Sequence, residues 1–392
     1  MAKDMQEQQT IRDYHSRKKR NRRIRIFVFT ALLLIILAAG GIYLFKLYHR
    51  SYSSYEVAGT IPNTEENLAG YLPYNGSAVK YGLDGAVAYD RKGKLLWNGS
   101  YEMQDPIADA CEKYVVIADR GNKAVHVFDE DGEAASYRME YDIIKARVAH
   151  QGVTAILMED NDAHYIRLLD LEGNVLTERK YVVSKDGYPM DIDLSEDGQK
   201  LATVLISVNQ GKLISKVAFY NFGEVGQNLK DRLAGAFLYE DEEKFIPRVT
   251  FLDNNTACAF KDNGFILYDI PEFPEFITEE TVEGTIKSIL HSPKNLGLVL
   301  EEESGASDLL LYDLKGKKLL DKKLELKYKD IFLSGDEVVL YDDVSCQVLK
   351  TDGKEKFRYT FLTDISAFYP INHLDRYLFI SADEVSELKL LE

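Results

Sequence analysis

Seven histidines are spread along the 392-residue chain, at positions 15, 49, 126, 150, 164, 291 and 373. Metal chemistry needs ligands brought together, most simply at i and i+4 of a helix or beside a Cys-x-x-Cys pair. No two of these histidines have that spacing, and none adjoins such a pair. His126 alternates with Val125 and Val127, the pattern of a strand residue. His150 and His291 stand beside turns of the innermost strands of the repeat described below. With carboxylates at one mouth of a channel they would make an acid–base site. No Gly-x-Ser-x-Gly elbow, phosphate-cradling loop or His-Glu-x-x-His occurs. The DEDGE run at 129–133 lacks the later Gly and Glu of a calcium loop and reads as a hairpin turn. Acidic runs at 240–243 and 301–303 are those of solvated loop tips. Cys111, Cys258 and Cys346 are too few for a disulfide framework and read as buried thiols. The sequence therefore assigns no catalytic residue, no cofactor and no metal.

Any chemistry would have to be positioned by elements that the charge pattern divides in two. Residues 1–50 hold 11 Lys/Arg and 3 Asp/Glu, whereas the whole chain carries a formal charge of -16. The acidic remainder is repelled by phosphate backbones, which argues against a nucleic-acid partner. Residues 26–45 contain no charge, and at 20 residues a helix of this run just crosses a hydrocarbon core of roughly 30 Å. Seven cations lie between Arg17 and Arg25, and only Lys46 and Arg50 follow the run. The positive-inside rule then places the N-terminus in the cytoplasm and the rest outside. A cleaved signal peptide is the rival reading. The apolar run exceeds the roughly 7–15 residues of a signal core, so a retained anchor is expected.

The remainder repeats. A short apolar run ends in Asp, two residues pass, Gly follows, and a second run begins. Copies are VAYDRKGKLLW from Val87, VHVFDEDGEAASY from Val125, RLLDLEGNVL from Arg167 and LLYDLKGKKLL from Leu310. QVLKTDGKEKF from Gln347 has Lys350 in place of the Asp. Degenerate copies fall at Asn221 and Asp269. Asp can bond backbone amides two residues on, and Gly supplies positive φ, so each copy reads as a hairpin between strands. A further strand precedes each hairpin, and a less regular one precedes that. Four strands in about 40–45 residues is the period of a β-propeller blade.

Stepping the mean interval past Lys350 lands at the end of the chain, so the last blade lacks its outermost strand. Residues 54–61, SYEVAGTI, are free to supply it and close the ring. This gives an all-β propeller of eight four-stranded blades after one transmembrane helix. Seven blades is the alternative if residues 63–82 do not form full strands. The expected organisation is a basic tail at 1–23, a span at 24–47, a juxtamembrane and ring-closing segment at 48–62, and a propeller at 63–392. The repeat intervals are longest on either side of segment 222–245, where a short surface helix is expected over about 226–236.

GAVAYDRKGKLLWNG, residues 85–99, resembles the repeat of quinoprotein-type (PQQ-like) propellers, whose Trp docks between blades. Only Trp97 fills that position, so the resemblance does not imply a bound quinone. DLSEDGQKLATV, residues 193–204, and ILHSPKNLGLVL, residues 289–300, resemble turns of WD40-like and TolB-like propellers. The layout as a whole resembles a bacterial family of unknown function with one span and a WD40-like or PQQ-like propeller ectodomain. That resemblance implies architecture and placement in the cell membrane, and no activity.

The expected function is a non-enzymatic, extracytoplasmic scaffold for an envelope protein or cell-wall polymer. The expected contact is Phe237, Leu238 and Tyr239 beside Glu240, Asp241, Glu242 and Glu243, since aromatics next to charge are a common hot-spot composition. The alternative is an envelope hydrolase or lyase with a site in the propeller channel.

Overall fold

The computed structural model describes residues 26–42, 45, 46, 48–64, 66–90, 92, 94–240, 245–301, 305–372 and 374–392. The chain divides into two units, residues 1–51 and 52–392.

In the first unit, residues 26–42 are helical, and their apolar side chains are almost all exposed. Residues 43 and 44, the next two of the apolar run, lie outside the described residues. Among the described residues no helix is long and apolar enough to cross a membrane.

The second unit is a closed ring of eight four-stranded antiparallel sheets. Blades 1 to 7 occupy residues 68–100, 106–138, 142–182, 188–239, 248–281, 285–324 and 330–360. Blade 8 takes three strands from residues 367–391, and its outer strand is Ser54–Pro62. Ser54 faces Leu391 and Pro62 faces Glu384 across that last ladder. Leu68–Tyr74 and Ser77–Gly82 are full strands of blade 1, so the count is eight rather than seven.

The Asp turns form as their chemistry requires. Asp90 Oδ1 accepts the amides of Lys92 and Lys94, both at 2.8 Å. Asp313 Oδ1 accepts those of Lys315 and Lys317, both at 2.9 Å. Gly173 and Gly316 follow such turns at φ 80°, a conformation that other residues adopt only under strain.

A single apolar cluster fills each of the eight blade interfaces, so every blade is buried on both faces. Trp97 docks between blades 1 and 2, stacked on Phe128 at 4.8 Å. Cys111, Cys258 and Cys346 are free thiols in blades 2, 5 and 7.

The segment from 222 departs from expectation. Only Glu224–Gln227 is α-helical, and Lys230–Arg232 is a single 3-10 turn. Leu233–Tyr239 is the outer strand of blade 4, paired to the third strand from Ser215↔Tyr239 to Tyr220↔Leu233. The blade needs a fourth strand, and that pairing overrides the local helix preference of residues 233–236.

Candidate functional site

Strand alternation decides what the expected contact segment shows to solvent. Phe237 and Tyr239 point toward blade 5, while Leu238 points out. Phe237 lies 4.9 Å from the Tyr268 ring, and Tyr239 Oη is 2.5 Å from Tyr268 Oη. Leu238 is 63% exposed, and Glu240 is exposed beside it. Asp241, Glu242 and Glu243 lie outside the described residues. Of the aromatic and acidic group expected here, the structure thus presents Leu238 and Glu240 together and turns both rings into the blade interface.

The first strands of neighbouring blades pack against one another around the axis and form the channel wall. On blade 3 Lys145 and Arg147, and on blade 4 Asp191 and Asp193, are two positions apart, which puts each pair on one face; blade 2 adds the single Asp109. Arg147 bridges blades: its Nη1 lies 3.2 Å from Asp109 Oδ1 and its Nε 2.8 Å from Asp193 Oδ1. Lys145 pairs with Asp191. The same carboxylates bind backbone across the interfaces. Asp109 Oδ2 accepts the Val148 amide at 3.0 Å, Asp191 Oδ2 that of Val249 at 3.0 Å, and Asp193 Oδ2 that of Phe251 at 2.6 Å. Thr250 Oγ1 also donates to Asp193 Oδ2, at 2.9 Å.

Burial pushes the Asp109 carboxyl up, against the pull of Arg147. Burial and the neighbouring Arg147 lower Lys145, against Asp191. For Arg147, burial works against the charge, but Asp109 and Asp193 raise it above the ordinary value. These groups are occupied by one another. They stitch blades 2 to 5 together, and the carboxylates of Asp109, Asp191 and Asp193 are all engaged.

His150 and His291 lie at the end of the first strands of blades 3 and 6. His150 Nδ1 meets the backbone oxygen of Glu196 at 2.6 Å. His291 is lowered by burial, with Arg147, Arg248 and Lys145 adding to that and Asp193 opposing it. Its side chain is nevertheless exposed to solvent, as expected for a group facing a lumen. Neither histidine hydrogen-bonds to the other or to a carboxylate side chain among the described residues. Cys111 sits nearby with Glu196, and burial pushes its thiol up to about 12, so it is a poor nucleophile. Among the described residues no group of three or more His, Cys, Asp or Glu is arranged to hold a metal ion.

Sequence reasoning missed this ionic stitch. Its signal was present in Lys145-Ala-Arg147 and Asp191-Ile-Asp193, charges two apart inside otherwise apolar strands.

The fold recurs in solved structures of low sequence identity. BamB from Moraxella catarrhalis superposes with a TM-score of 0.53 at 12% identity, covering 86% of this chain and 100% of that one. Sqt1 from Chaetomium thermophilum gives 0.55 at 11% identity, with coverage of 86% and 100%. The WD40 domain of SCAP from fission yeast gives 0.53 at 9%, with coverage of 86% and 98%. At these identities the likeness concerns the fold alone. No curated protein matches the sequence. Residues 48–390 match a family of unknown function, DUF5711, and the chain belongs to that family.

Proposed function

We propose that this chain is a single-pass membrane protein whose propeller lies outside the cytoplasm. There it acts as a non-enzymatic scaffold for an envelope protein or a cell-wall polymer. Residues 1–23 form the cytoplasmic tail and 24–47 the span in this reading. The observation that carries the scaffold role is the closed ring itself: eight interfaces filled by apolar clusters, with Lys145, Arg147, Asp109, Asp191 and Asp193 of blades 2 to 4 held in cross-blade pairs. Such a ring is rigid and presents its loops as a fixed surface. The exposed apolar helix behind a cation-rich flank supports the membrane placement.

His291 favours a second reading, an envelope hydrolase or lyase working in the channel. It faces the lumen and burial disfavours its charged form, as a general base requires.

The test is crosslinking of the tagged full-length chain in its own cells, followed by identification of what co-purifies. Deleting residues 222–245 would remove the outer strand of blade 4 with the loop. The informative variants are therefore Leu238→Asp and Glu240→Lys, which leave the strand in place. Loss of a specific envelope partner in either supports the scaffold. Capture of a glycan or small molecule that is lost only in His291→Ala moves the function to the channel.

A further inference from the structure

A cleft of about 510 Å³ opens between blades 3 and 4, beside the inserted turn of blade 4. Three cations reach it: Arg179 from the outer strand of blade 3, Lys185 from the turn after it, and Arg232 from the insertion. Strand alternation turns Lys180 to the opposite face, where its Nζ lies over the Tyr165 ring. Its three carboxylates are already engaged. Glu178 Oε2 accepts from Arg167 Nε at 2.6 Å, and Asp186 Oδ2 accepts the Val182 amide at 2.9 Å. Asp231 Oδ2 lies 3.3 Å from Arg179 Nη1.

The guanidinium groups are less fully matched. Arg179 Nε and Arg232 Nη1 are shielded from solvent and have no hydrogen-bond partner among the described residues. Such donors are costly to leave unmade, and a guanidinium edge matches the geometry of an oxyanion. Arg179 is held in place rather than free to swing out. It lies over the rings of Tyr181 and Tyr220, at 5.2 and 5.4 Å, and the Tyr181 hydroxyl fixes both rings by donating to Tyr220 Oη at 2.8 Å. Arg232 is presented by strained backbone, since it and Asp231 sit at φ 60° and 56° without being glycine. Strain of this kind clusters where side chains must be aimed.

We propose that this cleft binds an oxyanion, a phosphate or carboxylate carried on a polar body, with the Arg179 and Arg232 guanidinium groups as its donors. Lys185 supplies attraction at the rim. The site is independent of the scaffold reading and stands whichever surface carries a protein partner. The anion can belong to a free small molecule or to a unit of an anionic polymer.

The experiment is calorimetric titration of the full-length chain in detergent at low salt. The probes are inorganic phosphate, citrate, glucuronate and a poly(glycerol phosphate). Saturable binding of at least one probe is expected, weakened about tenfold or more in Arg232→Gln. Arg232 lies on the insertion, so this variant should keep its unfolding midpoint; Arg179→Lys, which keeps the charge and removes the fork, is the second variant. Tighter binding of the polymer than of the monomeric anions assigns the source to a polymer. The reverse assigns it to a free molecule. Absence of binding by every probe, or wild-type affinity in both variants, overturns the proposal.

Discussion

Two blade interfaces use the same ingredients to different ends. Between blades 7 and 8, Glu337 is fully buried and meets Lys350 Nζ at 2.7 Å, Lys356 Nζ at 2.5 Å and the Tyr377 hydroxyl at 2.7 Å. Lys356 also donates to Tyr377 Oη at 3.0 Å. No side-chain nitrogen or oxygen of these four residues is left without a partner. Between blades 3 and 4 a carboxylate and tyrosines again meet cations, here arginines in place of lysines, but two guanidinium donors stay unmade beside an open cleft. A buried polar network that is complete serves cohesion, whereas one left incomplete marks a place where something else can bind. The cations differ, but it is the tally of partners that sets the two cases apart.

The comparison breaks most sharply at Glu337. Glu337→Ala leaves two buried ammonium groups without their shared counter-charge and should cost about 3–5 kcal/mol. Urea unfolding of the full-length chain measures it, and a loss below about 1 kcal/mol would sink the idea that this network holds the ring. Tyr377→Phe removes the hydroxyl's bonds to Glu337 and from Lys356 and keeps the ring, so about 1.5–3 kcal/mol is expected from the same measurement.

The other interface should respond with the opposite sign. Arg232→Gly replaces a residue strained at positive φ and removes an orphaned donor, so it should stabilise by about 1 kcal/mol. Destabilisation instead would show that Arg232 is structural.

The smallest effect concerns acid. His164 is buried in blade 3, with neither ring nitrogen hydrogen-bonded, and Glu159 Oε2 3.7 Å away. Burial holds its pKa below 6.5, against Glu159. Below that value the unfolded chain takes up a proton that the folded chain does not. This contribution is therefore fully present above 6.5 and is lost as pH falls through it. Thermal midpoints measured from about pH 7.5 to about 5.5 should drop, and the drop should shrink in His164→Gln. An unchanged slope in the variant would assign the acid sensitivity elsewhere.

The fold was legible because its repeat is written in local chemistry. Asp90, Asp129, Asp170 and Asp313 each accept amides within their own turn, so a short window of sequence contains the whole cause. Even the degenerate copy at Lys350 keeps its place, since the lysine is used across the sheet by Glu337. The insertion was not legible in the same way. Residues 233–236 pair because a neighbouring strand needs them, and Phe237 and Tyr239 face inward because blade 5 lies there. The cleft was least visible of all. Arg179 and Arg232 are more than 50 positions apart, and nothing local records that their donors go unmet.

Ring closure also has a consequence in time. The outer strand of blade 8, Ser54–Pro62, is made roughly 320 residues before its partner Glu384–Leu391. At ~5–20 residues per second the gap is roughly 15–70 s. Through that interval Ser54–Pro62 waits unpaired, and blade 1 waits with one face uncovered. A nascent chain of this kind is exposed to edge-to-edge capture by another copy until Glu384–Leu391 emerges. The strand that is made first is the last to be satisfied.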